Sequence, residues 1–257
     1  MADISLNISI AGSGRVARAM GHAFKSAGHT IVQIISRTPT DLAAELNAEN
    51  VNFNGSISEV DIIAVLVSDD SISEVSSLLP SDIPQFHASG VTDIKKLHSE
   101  TRGVFWPIKS INNKSSSEGF SGVPMGIESS NAAFLKTLSS LVSSINGDAF
   151  EADSSKRAIV HLAAVFTDNF ANHCLTLSQE VLKNADLNPK LMRSLAEGLL
   201  AGALNGDSKN RQTGVAIRGD FKSQKRHVEL LNTESAVEFY QFISKKIAEY
   251  HELQDKA

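Results

Sequence analysis

Apolar residues recur two apart at the start of the chain. Ile4, Leu6, Ile8 and Ile10 keep the spacing that puts side chains on one face of a β-strand. The run stops at Gly12-Ser13-Gly14, and the period then changes. Val16, Met20, Ala23 and Phe24 return at helical spacing, and Gly28 ends the pattern. Residues 30–35 (TIVQII) are β-branched and read as a second strand. The segment 41–48 reads as a helix and 51–53 as a short third strand. Residues 61–67 (DIIAVLV) form a near-continuous apolar run, as in a strand buried on both faces. Ser71-Ile72-Ser73-Glu74 has the form of a capping box opening a helix that ends before Pro80. Strands follow at 85–87, 104–108 and 123–128. The polar stretch 112–119 between the last two is expected to be a mobile loop.

From residue 154 onward the period is helical almost throughout. Residues 155–183 read as one helix of about 29 residues, roughly 43 Å at 1.5 Å per residue. A second helix starts with Pro189 in its first turn and runs to Leu204. After a polar loop at 208–218, two more helices cover 222–232 and 234–252. Alternating strands and helices followed by helices alone predict an α/β fold, a Rossmann-type mostly parallel sheet followed by an all-α C-terminal domain. The expected division is 1–152 and 153–257.

The turn between the first strand and first helix carries the candidate chemistry. Gly12-Ser13-Gly14-Arg15-Val16-Ala17 is a G-x-G-x-x-A string in the strand–turn–helix setting that a dinucleotide site requires. Gly12 permits the tight turn. Gly14 lets the backbone approach a pyrophosphate at the positive end of the helix. The second strand ends in Ser36-Arg37-Thr38, with no carboxylate before Asp41. A guanidinium with flanking hydroxyls suits a 2′-phosphate, so the expected cofactor is NADP rather than NAD. In open α/β sheets ligands lie beyond the carboxyl ends of the strands, which adds Val67, Ser68 and Ser89 to the cofactor-binding candidates.

Composition narrows the partners. The 257 residues are 42% hydrophobic and 21% charged, with a formal charge of −5. That is globular, long enough for two domains, and without the basic stripe of a nucleic-acid binder. The single cysteine, Cys174, excludes an internal disulfide and reads as a small buried hydrophobe. The N-terminus lacks the pattern of a signal peptide, and no run approaches the roughly 20 apolar residues of a membrane span. A cytoplasmic location is expected. Metal-binding, Walker and nucleophile-elbow motifs are absent, so no metal is expected.

On the long helix, His161, Asp168 and Asn172 share one face at 100° per residue, with Asn169 beside it, amid Ile159, Leu162, Val165, Phe166 and Phe170. His161 is the first candidate for proton transfer, because imidazole titrates near neutrality; His87 is a weaker rival. A second cluster, Arg218-Gly219-Asp220, offers Arg218 for a substrate carboxylate. The catalytic candidates are thus His161, Asn169 and Arg218.

Together, residues 8–17, Val67-Ser68-Asp69-Asp70, His87-Ala88-Ser89-Gly90, 161–166 with Asn169-Phe170, and Thr213-Gly214 with Arg218-Gly219-Asp220 resemble a family of NADP oxidoreductases. That family joins a Rossmann-like domain to an all-helical domain of unknown function. Its layout is similar to pyrroline-5-carboxylate reductase, 6-phosphogluconate dehydrogenase and the deazaflavin-dependent NADP reductases. The resemblance spans almost the whole chain and implies hydride transfer between NADP(H) and a small molecule at an interdomain cleft, in a homodimer. Two positions depart from the pattern. Trp106-Pro107-Ile108 stands where the family has His-Pro-Leu. The lysine–asparagine pair of the hydroxyacid dehydrogenases has no counterpart, since Val165 follows His161 at that spacing. The alternative is a dinucleotide-binding sensor or scaffold that keeps the fold without turnover.

Overall fold

The computed structural model describes residues 5–112, 119–204, 206 and 208–252. The chain divides into two compact units, 1–168 and 169–257. The first is built on an eight-stranded sheet of order β3-β2-β1-β4-β5-β6-β7-β8. Its strands are β1 (Asn7–Ala11), β2 (Thr30–Ile35), β3 (Glu49–Val51), β4 (Ile62–Val65), β5 (Gln85–His87), β6 (Arg102–Pro107), β7 (Pro124–Ser129) and β8 (Asp148–Glu151). Every neighbouring pair is parallel except β6 with β7. This is the Rossmann-type α/β sheet expected from the sequence, and β1 and β4 are adjacent at its topological switch point.

Alternation along β4 shows how the sheet is buried. Ile62 and Ala64 join the core on one face with Ile8, Ile10, Phe24, Phe86 and Phe105. Ile63 and Val65 join the core on the other with Ile35, Ile72, Val75 and Leu97. The unbroken apolar run thus serves both faces. Phe24 lies edge-on to Phe105 at 5.7 Å between ring centroids, which fixes helix α1 (Arg15–Ser26) against the first face. The remaining helices of this unit are α2 (Asp41–Leu46), α3 (Ile72–Ser77), α4 (Ala132–Ser144) and α5 (Ser154–Ala164).

Several local expectations differ from the structure. The third strand lies at Glu49–Val51, earlier than its apolar residues suggest, because it follows the register of β2. The Ser71 capping box does not form. Asp69–Ser71 is a 3-10 turn, Ser71 accepts no hydrogen bond from the helix backbone, and its Oγ bonds Ser68 Oγ at 2.9 Å. The expected mobile loop at 112–119 lies largely outside the described residues. The long helix at 155–183 is α5, then a π-helical segment Val165–Phe170, then α6 (Ala171–Asn184). A π turn holds an extra residue, so the 100° register that aligned Asp168 and Asn172 with His161 does not carry through it.

In the second unit, α6 is followed by α7 (Arg193–Ala203), α8 (Phe221–Glu229) and α9 (Glu234–Glu252). Cys174 on α6 is exposed, contrary to the burial expected of it. No residue of α6 is buried, so its apolar side packs into no closed core in the single chain. No helix among the described residues is long and apolar enough to cross a membrane.

Candidate functional site

The site starts where β1 turns into α1. Gly12 sits at φ 125°, a region L side chains rarely adopt, and a Cβ there would stand 2.2 Å from the Leu66 carbonyl oxygen. The turn after β1 is thus pressed against the turn after β4, and only glycine fits. Gly14 is the N-cap of α1, and no side chain caps that helix. A Cβ built on Gly14 would meet nothing within 4 Å, so the chain leaves this side of the turn open. An open, positively polarised helix start is the cradle a diphosphate needs, and these residues fit one.

That cradle is one wall of a cavity of about 560 Å³. Gly12, Ser13, Gly14, Arg15 and Val16 line it from β1 and α1; Ser36, Arg37 and Thr38 line it from the end of β2; Val67 and Ser68 line it beyond β4. Phe53, Leu66, Ser71, Val75 and Ile111, absent from the sequence candidates, complete it. The volume is within the range of small-molecule sites. Ser36 is buried and donates its hydroxyl to the Thr38 carbonyl at 2.7 Å; Asn52 Nδ2 donates to the Arg37 carbonyl at 3.0 Å. The backbone of the turn is pinned while the Arg37 side chain stays in solvent.

Ser89 is the one cofactor-binding candidate that does not line this cavity. Its Oγ is engaged in its own turn, donating to Thr92 Oγ1 at 2.9 Å and accepting from the Thr92 and Val91 amides. Beside it, fully buried His87 accepts the Ser89 N–H at Nδ1, 3.2 Å away, which places its proton on an unpartnered Nε2. Burial, and then the nearby Arg157 guanidinium, push its pKa down to about 4, outweighing the opposing pull of Asp93. His87 is therefore a neutral structural imidazole at physiological pH.

His161 is half-buried on α5, its ring 6.2 Å from that of Trp106. Trp106 lies in the space Gly90 leaves open, its indole 2.7 Å from where a Gly90 Cβ would stand. One helical turn before His161 is Arg157, which sequence reasoning missed. Its guanidinium is fully buried, pairs with Glu128, and donates to the carbonyls of Ala152 at 3.0 Å and Thr92 at 2.7 Å. A buried arginine needs such partners, and they are far away in sequence. Asn169 and Arg218 are exposed and belong to the second unit. Among the described residues Asp220 makes no close ion pair with Arg218, although the Arg218 charge also favours its carboxylate. It caps α8 instead, accepting from Ser223 N at 3.0 Å and Ser223 Oγ at 2.7 Å, and those bonds hold its carboxyl below the usual range.

The sheet, switch-point cavity and following helices define a Rossmann-type protein with a C-terminal helical unit. Residues 123–247 match the family model described as a domain of unknown function, DUF2520. Among solved structures, a Bacteroides fragilis protein provisionally described as an NADP oxidoreductase superposes with a TM-score of 0.85 at 27% identity, over 95% of this chain and 98% of that one. The 1-pyrroline-5-carboxylate reductase of Streptococcus pyogenes gives 0.62 at 15% identity, over 95% and 99% of the two chains. A reductive aminase from Aspergillus terreus, in complex with NADPH and ethyl levulinate, gives 0.70 at 10% identity, over 96% and 95%. At those lower identities the likeness is one of fold. No curated protein matches the chain. The likeness to the oxidoreductase family drawn from the sequence stands.

Proposed function

We propose that this chain is an NADP-dependent oxidoreductase that moves a hydride between NADP(H) and a small molecule. The observation that carries the reading is the cavity at the carboxyl ends of the adjacent strands β1 and β4, where an uncapped helix start and Arg37 line one space. Gly12 and Gly14 would bring the backbone to the diphosphate, and Arg37 would bind the 2′-phosphate through charged hydrogen bonds. The cofactor would supply the hydride; the chain would supply position and electrostatics. The Bacteroides fragilis protein, similar over nearly its full length, supports the assignment.

We propose that the substrate binds at the carboxyl ends of β5 and β6, where open α/β sheets hold their ligands. His161 is the proposed proton donor, and Asn169 and Arg218 the proposed polar contacts. The proposed assembly is a homodimer in the cytoplasm, with neither nucleic acid nor membrane as partner. Its support is the exposed apolar surface of the helical unit, including Leu191, Leu195, Leu199 and Leu204 at 60%, 72%, 68% and 86% exposure. A second reading, dinucleotide binding without turnover, is favoured by Trp106, whose indole offers no proton relay to His161.

Calorimetric titration of NADPH and NADH into wild type and Arg37→Ala, followed by NADPH oxidation across a panel of carbonyls and imines, tests both. The expected result is a preference for NADPH of tenfold or more that Arg37→Ala removes. A variant that keeps the preference eliminates Arg37 from the account. Tight binding with no turnover over the whole panel selects the second reading.

A further inference from the structure

The capping box that the sequence suggested leaves its acidic member free for another task. With Ser71 turned to Ser68, Glu74 carries no capping role, and its Oε1 lies 3.8 Å from Arg37 Nη2. Both side chains are largely exposed, at 74% for Arg37 and 68% for Glu74. The gap exceeds hydrogen-bond distance, so the pair is electrostatic and the guanidinium keeps its N–H donors. Arg37 makes no shorter ion pair among the described residues. Its cavity is also bordered by the 3-10 turn that carries Asp69 and Asp70.

We infer that Glu74, a carboxylate on α3 that lies outside the cavity lining but 3.8 Å from Arg37, is a specificity-determining residue: it competes with an incoming 2′-phosphate for Arg37 and so weakens discrimination between NADPH and NADH. The inference rests on the proposed role of Arg37. A phosphate seated on the guanidinium brings up to two negative charges to within a few ångströms of Glu74. Like charges at that separation repel even near the protein surface. The 2′-hydroxyl of NADH is uncharged and meets no such penalty. Strand β2 ends without the carboxylate that would select NADH outright, so the chain sets its preference through one cation and a counter-charge from a separate helix.

The test is calorimetric titration of NADPH and NADH into the full-length wild type, Glu74→Gln and Arg37→Ala at low ionic strength. Both positions are exposed, so neither variant endangers the fold. Glu74→Gln is expected to tighten NADPH roughly three- to tenfold while NADH stays within about twofold. The gain should shrink as salt is added, because the effect is between solvent-exposed charges. Unchanged or weaker NADPH binding by Glu74→Gln, with the preference abolished in Arg37→Ala, overturns the inference and leaves the cofactor assignment intact. A wild type that binds neither dinucleotide, or an Arg37→Ala that retains the preference, removes both.

Discussion

Replacing His87 with asparagine should flatten the acid limb of the stability curve. His87 is fully buried, and its pKa is pushed from 6.5 down to about 4, first by burial and then by Arg157. The unfolded chain therefore binds a proton below pH 6.5 that the folded chain refuses until about pH 4. Stability is complete above pH 6.5, falls as pH drops through that window, and has lost its full share below the folded value. A shift of that size corresponds to about 3 kcal/mol in total, and to roughly 2 kcal/mol between pH 8 and pH 5. Asparagine is the informative replacement, because its Oδ1 accepts the N–H two residues on in an Asx turn, as His87 Nδ1 accepts that of Ser89. Urea unfolding of both proteins at intervals between pH 8 and pH 5 gives two curves whose difference isolates this residue. His29, whose pKa burial also lowers, contributes equally to both and cancels. Parallel curves would refute the argument, whatever the absolute stability of the variant.

Two further substitutions probe the packing beneath the site. Gly12→Ala places a methyl group 2.2 Å from the Leu66 oxygen at a φ that alanine avoids, and should cost about 1–3 kcal/mol and abolish dinucleotide binding; thermal melting and calorimetry check both, and wild-type affinity would contradict the close approach of the turns after β1 and β4. Arg157→Met strips a buried cation from Glu128 and two carbonyls and should cost about 3–5 kcal/mol by urea unfolding, partly recovered in Arg157→Met with Glu128→Gln; a loss below 1 kcal/mol would mean the pair does not hold α5 to the sheet.

The sequence shows some layers of this structure far better than others. The opening strand, glycine turn and first helix were legible because each is specified by neighbours a few residues apart. So was the burial of β4 on both faces, since an apolar residue at every position leaves no side for water. Helix α4 carries only a modest polar face and was not assigned, and the exposed, partly charged β8 gave no strand signal. The antiparallel joining of β6 and β7 was not legible at all, because alternation reports which face a residue occupies and not the direction of its neighbour. The capping box failed through competition: Ser71 matches the motif, but its backbone is helical and its hydroxyl pairs with that of Ser68. In the candidate site, residues tied to the glycine turn and the end of β2 were found by motif. Arg157 was missed because its partners Glu128 and Thr92 are 29 and 65 residues away.

Arg157 also explains why the domain boundary moves with the criterion used to draw it. The chain changes its kind of element near residue 152, where strands stop and helices take over. It changes its packing allegiance only at 168. Between those points lies α5, helical by sequence yet attached to the sheet unit by a fully buried guanidinium in its first turns. A helix anchored in that way presents its next turn, and with it His161, at a fixed height above Trp106. The π segment then begins immediately, relieving the later residues of the register set by the anchor. Periodicity alone describes one long helix. The side-chain bonds describe a short helix fixed to the sheet unit, and the proposed proton donor stands on the fixed part.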